Sequence, residues 1–435
     1  MLLDPECTEE KGRIKINISV PADVASRYGF RENEQYNIRE YTDGIFLRQS
    51  PDVLKRIYIE ATNKCNLNCK TCIRNVWGED MGLMDFSLFE KIVADAERLS
   101  EIHNENYDNT LMDYLNPERI KQRFTFFFGG WGEPLMHPDI IRMIKKVKKR
   151  GWRAELITSG TLLSEEMSRN LIDAGLDFIW VSLDGATPES YKNVRLGNML
   201  PGILENLKGL RKLKAFNLAP GPQIGIAFVA MQNNINELPG LIDICRRIDA
   251  KNLSVSNVLP FTEDLLPERL YKLSSGNWGK GDLRIDFPRM DATPEIADLV
   301  QKAASAGGWY SIAGNELDHR IGVCPFIKKA SLSIRWDGKI SPCTPLFYDS
   351  ESYLENTLRK SKACHFGDVN HDSLAAVWLK DEYRALRRKL QFEEFSPCTV
   401  CNSCEMAESN EEDCFGDTHP ACGGCLWQQG FIQCP

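Results

Sequence analysis

"RIYIEATNKCNLNCKTC", Arg56 to Cys72, joins two patterns in one short stretch. Its first half is apolar and β-rich, as a buried strand is. Its second half carries Cys65, Cys69 and Cys72, separated by three residues and then two. Thiolates select zinc, copper(I) or iron–sulfur clusters. Structural zinc usually takes four ligands as two distant pairs, so a compact trio leaves one position open. A four-iron cubane suits the trio better: three thiolates hold three irons, and the fourth accepts a chelating ligand. An incomplete zinc knuckle is the alternative.

Downstream, strands and helices alternate. "SLFEKIVADAERL" has helical spacing of Leu88, Ile92, Val93 and Leu99. "RFTFFFGG" reads as a buried strand and "DIIRMIKKVKKR" as a helix closed by Gly151. "RAELITSG", "LDFIWVSLDG", "QIGIAFVAM" and "NLSVSNVLP" add four more strands with helices between them. Continuous apolar strands in βα units predict a parallel sheet covered by helices. Six such strands predict an α/β fold, a partial (β/α)6 TIM-like barrel over residues 53–262, with the cysteine loop at the C-terminal strand ends where such barrels place active sites. The polar stretch 100–122 reads as an inserted lid, a partner surface or a solvated loop. Residues 263–320 read as a bridging segment, and 321–435 as a cysteine-rich domain.

The composition bounds the function. The formal charge of −8 argues against nucleic acid as the main partner. No apolar run reaches membrane-spanning length, and the start lacks a secretory pattern, so a cytoplasmic location is expected. Ten of the 15 cysteines lie from Cys324 onward. In a reducing compartment such density points to metal or cluster ligation rather than disulfides. Cys7 reads as a free terminal thiol and Cys245 as a buried helix residue.

With its spacing and its place after the first strand, "CNLNCKTC" resembles the radical S-adenosylmethionine (SAM) superfamily. That resemblance implies a SAM-binding 4Fe–4S cluster on Cys65, Cys69 and Cys72, and cleavage of SAM to a 5′-deoxyadenosyl radical. Later strand ends are similar to the family's motifs in order. "FFGGWGEPLMHPD" places Gly130, Gly132 and Glu133 at the methionine amino group, and "LITSGTLL" puts Ser159 where the family has Asn. "VSLDGATPESYKNVR" places Ser182 and Asp184 by the ribose or carboxylate and Arg195 by the carboxylate. "VAMQNNINEL" supplies a fifth strand end near the adenine. Thr71 departs from the bulky residue the family often has before the last cysteine. No catalytic base is assigned; His137 and Glu133 lie near the expected site mouth.

The run from Cys324 through Gly338 to Cys343, with "HFGDVNHDSLAAVW", resembles a SPASM domain, which implies two auxiliary 4Fe–4S clusters. About eight thiolates would serve two clusters. Nine are available without Cys364: Cys324, Cys343, Cys398, Cys401, Cys404, Cys414, Cys422, Cys425 and Cys434. The expected partition gives one cluster Cys324, Cys343, Cys414 and one of the last three cysteines. The other takes Cys398, Cys401 and Cys404 with Cys434 or Cys425. A zinc ribbon of Cys401, Cys404, Cys422 and Cys425 is the alternative. Thr344 stands where sulfatase-maturing relatives carry Asp.

Residues 1–52, with "IKINISV", a short helix opened at Pro21 and a hairpin around Asp43-Gly44, resemble an AbrB/SpoVT-like β domain. That implies dimerisation, as a homodimer, or docking of a partner. Together with the tail "DCFGDTHPACGGCLWQQGFIQCP", it makes the chain similar to the radical SAM maturases of tungsten-cofactor oxidoreductases. Such a role implies a protein or peptide substrate, a tungsten-containing oxidoreductase among them, and an electron donor such as ferredoxin or flavodoxin. A peptide-modifying radical SAM/SPASM enzyme is the second reading, and a zinc-binding DNA regulator a remote third.

Overall fold

A computed structural model describes residues 6–10, 13–17, 36–41, 44–49, 52–105, 124–195, 198–271, 290, 298–299, 309–312, 315–316, 324–354, 356–392, 394–396, 398–401 and 404–433. At the N-terminus, β1 (Glu6–Glu10) pairs antiparallel with β2 (Arg13–Asn17), and β3 (Tyr36–Tyr41) with β4 (Gly44–Gln49). The second hairpin falls where the Asp43-Gly44 turn predicts it. The helix expected at Pro21 lies outside the described residues.

The six expected barrel strands form in order: β5 (Arg56–Ile59), β6 (Thr125–Phe128), β7 (Arg153–Thr158), β8 (Phe178–Ser182), β9 (Gln223–Ala230) and β10 (Ala250–Asn257). Each pairs parallel with the next. Their apolar side chains are buried because helices cover the sheet. On α1 (Phe86–Glu105), Ile92, Val93, Ala96 and Leu99 are buried; on α2 (Ile140–Lys148), Ile140, Met143, Ile144 and Val147 make the inward stripe. Helix α1 continues to Glu105, so the polar insertion begins inside a helix; residues 106–123 lie outside the described ones. Further along run α3 (Glu165–Asp173), α4 (Pro188–Arg195), α5 (Leu200–Phe216) and α6 (Leu238–Ile248). Cys245 is buried in α6, and burial pushes its thiol up to about 12.

The sheet does not stop at six strands. β11 (Trp309–Ile312) adds parallel to β10, and β12 (Asn315–Glu316) antiparallel to β11. At the other edge β13 (Ser331–Ile334), from the cysteine-rich region, pairs parallel with β5 in the register Arg56↔Ser331. β14 (Lys339–Ser341) completes a hairpin with β13. β15 (Ser350–Leu354) and β16 (Thr357–Ser361) form a separate hairpin, and β17 (Gly367–Asp368) pairs with β14. The hydrophobic core runs without a break from the barrel into this region, through Leu332, Ile334, Val369 and Trp378.

Candidate functional site

The loop after β5 is folded by its own hydrogen bonds. Cys72 N donates to Cys69 O (3.1 Å), Asn75 Nδ2 donates to the same oxygen (2.8 Å), and Arg74 Nη1 donates to Leu67 O (3.0 Å). These bonds curl the chain so that Cys65, Cys69 and Cys72 act on one another electrostatically. Burial pushes the Cys65 and Cys72 thiols up, and the neighbouring cysteines add to the rise. Holding three such groups together as thiolates would require a cationic guest. An iron–sulfur cluster meets that demand.

The second strand end approaches closely. Glu133 N donates to Lys64 O (2.8 Å), and a Cβ on Gly132 would lie 2.2 Å from Thr62 O and 2.7 Å from Lys64 O. Only glycine permits this contact between the two loops. The Glu133 carboxylate is buried and bound on both oxygens: Thr158 Oγ1 (2.7 Å) and Leu135 N (3.2 Å) donate to Oε1, and Ser159 N (2.7 Å) to Oε2. It braces the ends of β6 and β7. His137 has both ring nitrogens engaged, Nε2 with Met84 O (2.9 Å) and Nδ1 with Asp139 N (3.1 Å), and burial lowers its pKa. That pattern is the neutral Nε2–H tautomer in a structural setting. In the third-strand turn, Ser159 Oγ meets Thr161 Oγ1 (2.9 Å), which accepts from Asn66 Nδ2 of the cysteine loop (2.9 Å).

From the fourth strand, Arg195 reaches the cysteine loop, with Nη1 3.3 Å from Cys69 Sγ. Its Nη2 lies 2.6 Å from Asp184 Oδ2, and Asp184 is fully buried. Burial opposes the Arg195 charge, but Asp184 and Cys69 more than compensate and push its pKa up. Asp184 Oδ1 also accepts from Val229 N (2.9 Å), so this residue supports Arg195 and the fifth strand rather than standing open. Ser182 closes β8, half-buried. At the fifth strand end, Asn234 holds Met231 N (2.7 Å) and Val229 O (2.9 Å).

Glu60 is a site residue that the sequence reading missed. It is fully buried between the cysteine loop and the C-terminal region, accepting from Tyr348 Oη (2.5 Å) and Trp131 N (3.1 Å). Burial pushes its pKa up to about 7. Trp131 Nε1 then donates to Thr344 O (3.2 Å), next to Cys343. The one available signal was a carboxylate ending an otherwise apolar strand.

In the C-terminal region, Cys324, Cys343, Cys422 and Cys425 line one cavity, with Ile73 and Trp131 from the barrel side. Burial pushes Cys343, Cys422 and Cys425 up, and for Cys343 the other three thiols add to it. Cys414 is not among them: it is exposed and acts on Cys398 instead. The expected grouping of Cys414 with Cys324 and Cys343 is therefore not what the fold brings together, because the Cys422–Cys425 turn occupies that wall. Of the zinc-ribbon set, Cys422 and Cys425 line this cavity and Cys404 does not. Cys404 is exposed, Cys364 is buried with its thiol pushed up to about 12, and Cys434 lies outside the described residues, as do the side chains of Cys7 and Cys401.

Residues 59–221 match the radical SAM superfamily, and residues 324–405 match SPASM, an iron–sulfur cluster-binding domain. The chain is 30% identical over 386 residues to the tungsten-containing aldehyde ferredoxin oxidoreductase cofactor-modifying protein of Pyrococcus furiosus, covering 88% of this chain and 97% of that one. Among solved structures, native anSMEcpe with bound AdoMet superposes with a TM-score of 0.52 at 16% identity, covering 86% of this chain and 95% of that chain. Streptococcus suis SuiB bound to precursor peptide SuiA gives 0.52 at 15% identity, covering 77% of this chain and 67% of that chain. Among the described residues no helix is long and apolar enough to cross a membrane. The chain belongs to the radical SAM superfamily, in the SPASM-bearing family that includes the Pyrococcus furiosus cofactor-modifying protein.

Proposed function

We propose that this enzyme modifies a tungsten-containing oxidoreductase or its tungstopterin cofactor during maturation, with Cys65, Cys69 and Cys72 as ligands of its SAM-binding 4Fe–4S cluster. The observation that carries the site assignment is the meeting of Arg195, Gly132 and the cysteine trio at adjoining strand ends. The similarity across 97% of a cofactor-modifying protein favours this substrate class over a leader-guided peptide. Held by Cys65, Cys69 and Cys72, the cluster would supply reductive cleavage of SAM to a radical that takes hydrogen from substrate.

The chain's own residues position the reactants. Gly130 and Gly132 bring backbone groups to the methionine amino end, where a side chain would collide with Glu60 or Thr62. Glu133 and Ser159 fix that loop against β7. Arg195, paired with Asp184, sets a cation beside Cys69 that would meet the SAM carboxylate; Ser182, at the end of β8, would lie by the ribose. Cys324, Cys343, Cys422 and Cys425 would hold one auxiliary cluster, and Cys398, Cys401, Cys404 and Cys414 the other. An electron donor of the ferredoxin or flavodoxin class supplies reducing equivalents, and the N-terminal hairpins serve a homodimer or a docked partner.

The test is anaerobic reconstitution. About twelve irons per chain are expected for three cubanes, with 5′-deoxyadenosine formed on reduction in the presence of SAM and lost in Cys69→Ala. Stoichiometric zinc without SAM cleavage would overturn the assignment. For the substrate, deuterium should pass into 5′-deoxyadenosine from a deuterated tungsten oxidoreductase or its cofactor; transfer from a peptide alone favours the second reading.

A further inference from the structure

Strand β16, "TLRKS", is patterned inside out. Leu358 is 37% exposed, whereas Arg359, the next residue, is 4% exposed. A strand normally buries its apolar side chains and keeps its cations in water. Here the guanidinium points into the C-terminal region, where it lines the same cavity as Cys422, Gly424 and Cys425. A buried cation without an anionic partner is strongly unfavourable. Among the described residues, the acidic groups acting on Arg359 are the thiols of Cys425, Cys398 and Cys422, and none is a carboxylate; they carry charge only as thiolate ligands.

The packing fixes it there. A Cβ on Gly424 would lie 2.6 Å from Arg359 Nη1 and 2.7 Å from Cζ. A Cβ on Gly423 would lie 2.1 Å from Ser396 O, and Ser396 Oγ is 3.1 Å from Cys398 Sγ. The Gly423-Gly424 pair thus threads between Arg359 and Ser396, with no room for side chains. Arg359 Nη1 also donates to Ala407 O, which anchors the fork.

We infer that Arg359 sets the reduction potentials of both auxiliary iron–sulfur sites, as a fixed cation shared between Cys398 on one side and Cys422 and Cys425 on the other. This rests on reading those cysteines as cluster ligands. Each cluster gains one negative charge on one-electron reduction. A desolvated cation nearby favours that form, since net charge and surrounding groups set such potentials. Arg359 is a positioning residue in this sense, acting on the clusters through space.

The experiment is an EPR-monitored redox titration with dithionite of the full-length protein, reconstituted anaerobically, with iron and sulfide counted first. Arg359→Gln keeps a donor for Ala407 O and removes the charge. At a fixed poise the reduced-to-oxidised ratio of both auxiliary sites should fall at least tenfold, which for one electron is about 59 mV toward negative potential. Arg359→Lys should stay close to wild type, which a merely structural role would not predict. Unchanged potentials in Arg359→Gln at full iron content overturn the inference, as does a shift in Arg359→Lys equal to that of Gln. If Arg359→Gln fails to hold iron, the Arg359→Lys potentials decide alone. A wild-type protein with only the SAM-binding cluster overturns the ligand reading and this inference with it.

Discussion

Replacing Asp184 by Asn tests how the SAM-side cation is held. The substitution preserves the side-chain oxygen that accepts from Val229 N at 2.9 Å, so that contact stays. What disappears is the charge 2.6 Å from Arg195, a guanidinium whose side chain is only 14% exposed. Removing one partner of a buried ion pair costs about 3–5 kcal/mol, because the other charge is left uncompensated. Cys69 Sγ, 3.3 Å from Arg195, remains as a second hydrogen-bond partner and keeps the loss near the lower end. About 3 kcal/mol corresponds to roughly 6–12 °C in melting temperature for a domain of about 150–250 residues. The assay is the apparent melting temperature of the reconstituted protein, anaerobic and at one scan rate, because unfolding of a cluster protein is irreversible. Arg195→Met and the double variant complete a cycle in which the double should lose less than the sum of the singles. An unchanged melting temperature in Asp184→Asn, or strict additivity in the cycle, would refute this account of Arg195.

Glu60 gives a pH signature. Burial raises it from 4.5 to about 7, so the folded state holds this proton more tightly than the unfolded state. Its contribution is fully present below pH 4.5 and is lost as pH rises through about 7, a change of about 3 kcal/mol. Apparent stability should therefore decline across that window in wild type and hold flatter in Glu60→Gln; parallel profiles would sink the idea. Gly132→Ala places a Cβ against Thr62 O and Lys64 O, both backbone atoms of the cysteine loop that cannot swing aside. SAM binding, measured by calorimetry on the iron-loaded protein, should weaken at least tenfold; wild-type affinity would mean that the loops need not touch.

The barrel was legible because each strand is a short apolar run and each helix carries its own stripe; Ile140, Met143, Ile144 and Val147 need only a 3.6-residue period to be found. The cysteine trio was legible because all three residues share one loop. What stayed hidden depends on chain separation. Tyr348 meets Glu60 across 288 positions, and nothing in either neighbourhood announces the other. The grouping of the C-terminal cysteines was hidden for the same reason: spacing linked Cys414 to Cys324 and Cys343, while the fold lines one cavity with Cys324, Cys343, Cys422 and Cys425. Arg359 was not readable, since in "TLRKS" the one apolar residue, Leu358, makes the alternation point the other way, and the inward cation is explained only by the thiols beside it.

The pairing of β5 with β13 bears on how the protein can be taken apart. By sequence the catalytic barrel ends near residue 262 and the cysteine-rich region begins near 321. In space, the strand that leads into the cysteine trio has β6 on one side and Ser331–Ile334 on the other. A chain shortened after the barrel would leave one whole edge of that strand with unpaired amides and carbonyls, the kind of edge on which proteins aggregate. Trp378 Nε1 and Arg384, which bind Asp52 from the far end of the chain, would be lost as well. Swapping C-terminal regions between relatives to change specificity therefore requires carrying Ser331–Ile334 and its register along, because the transplanted part includes a wall of the recipient's own barrel.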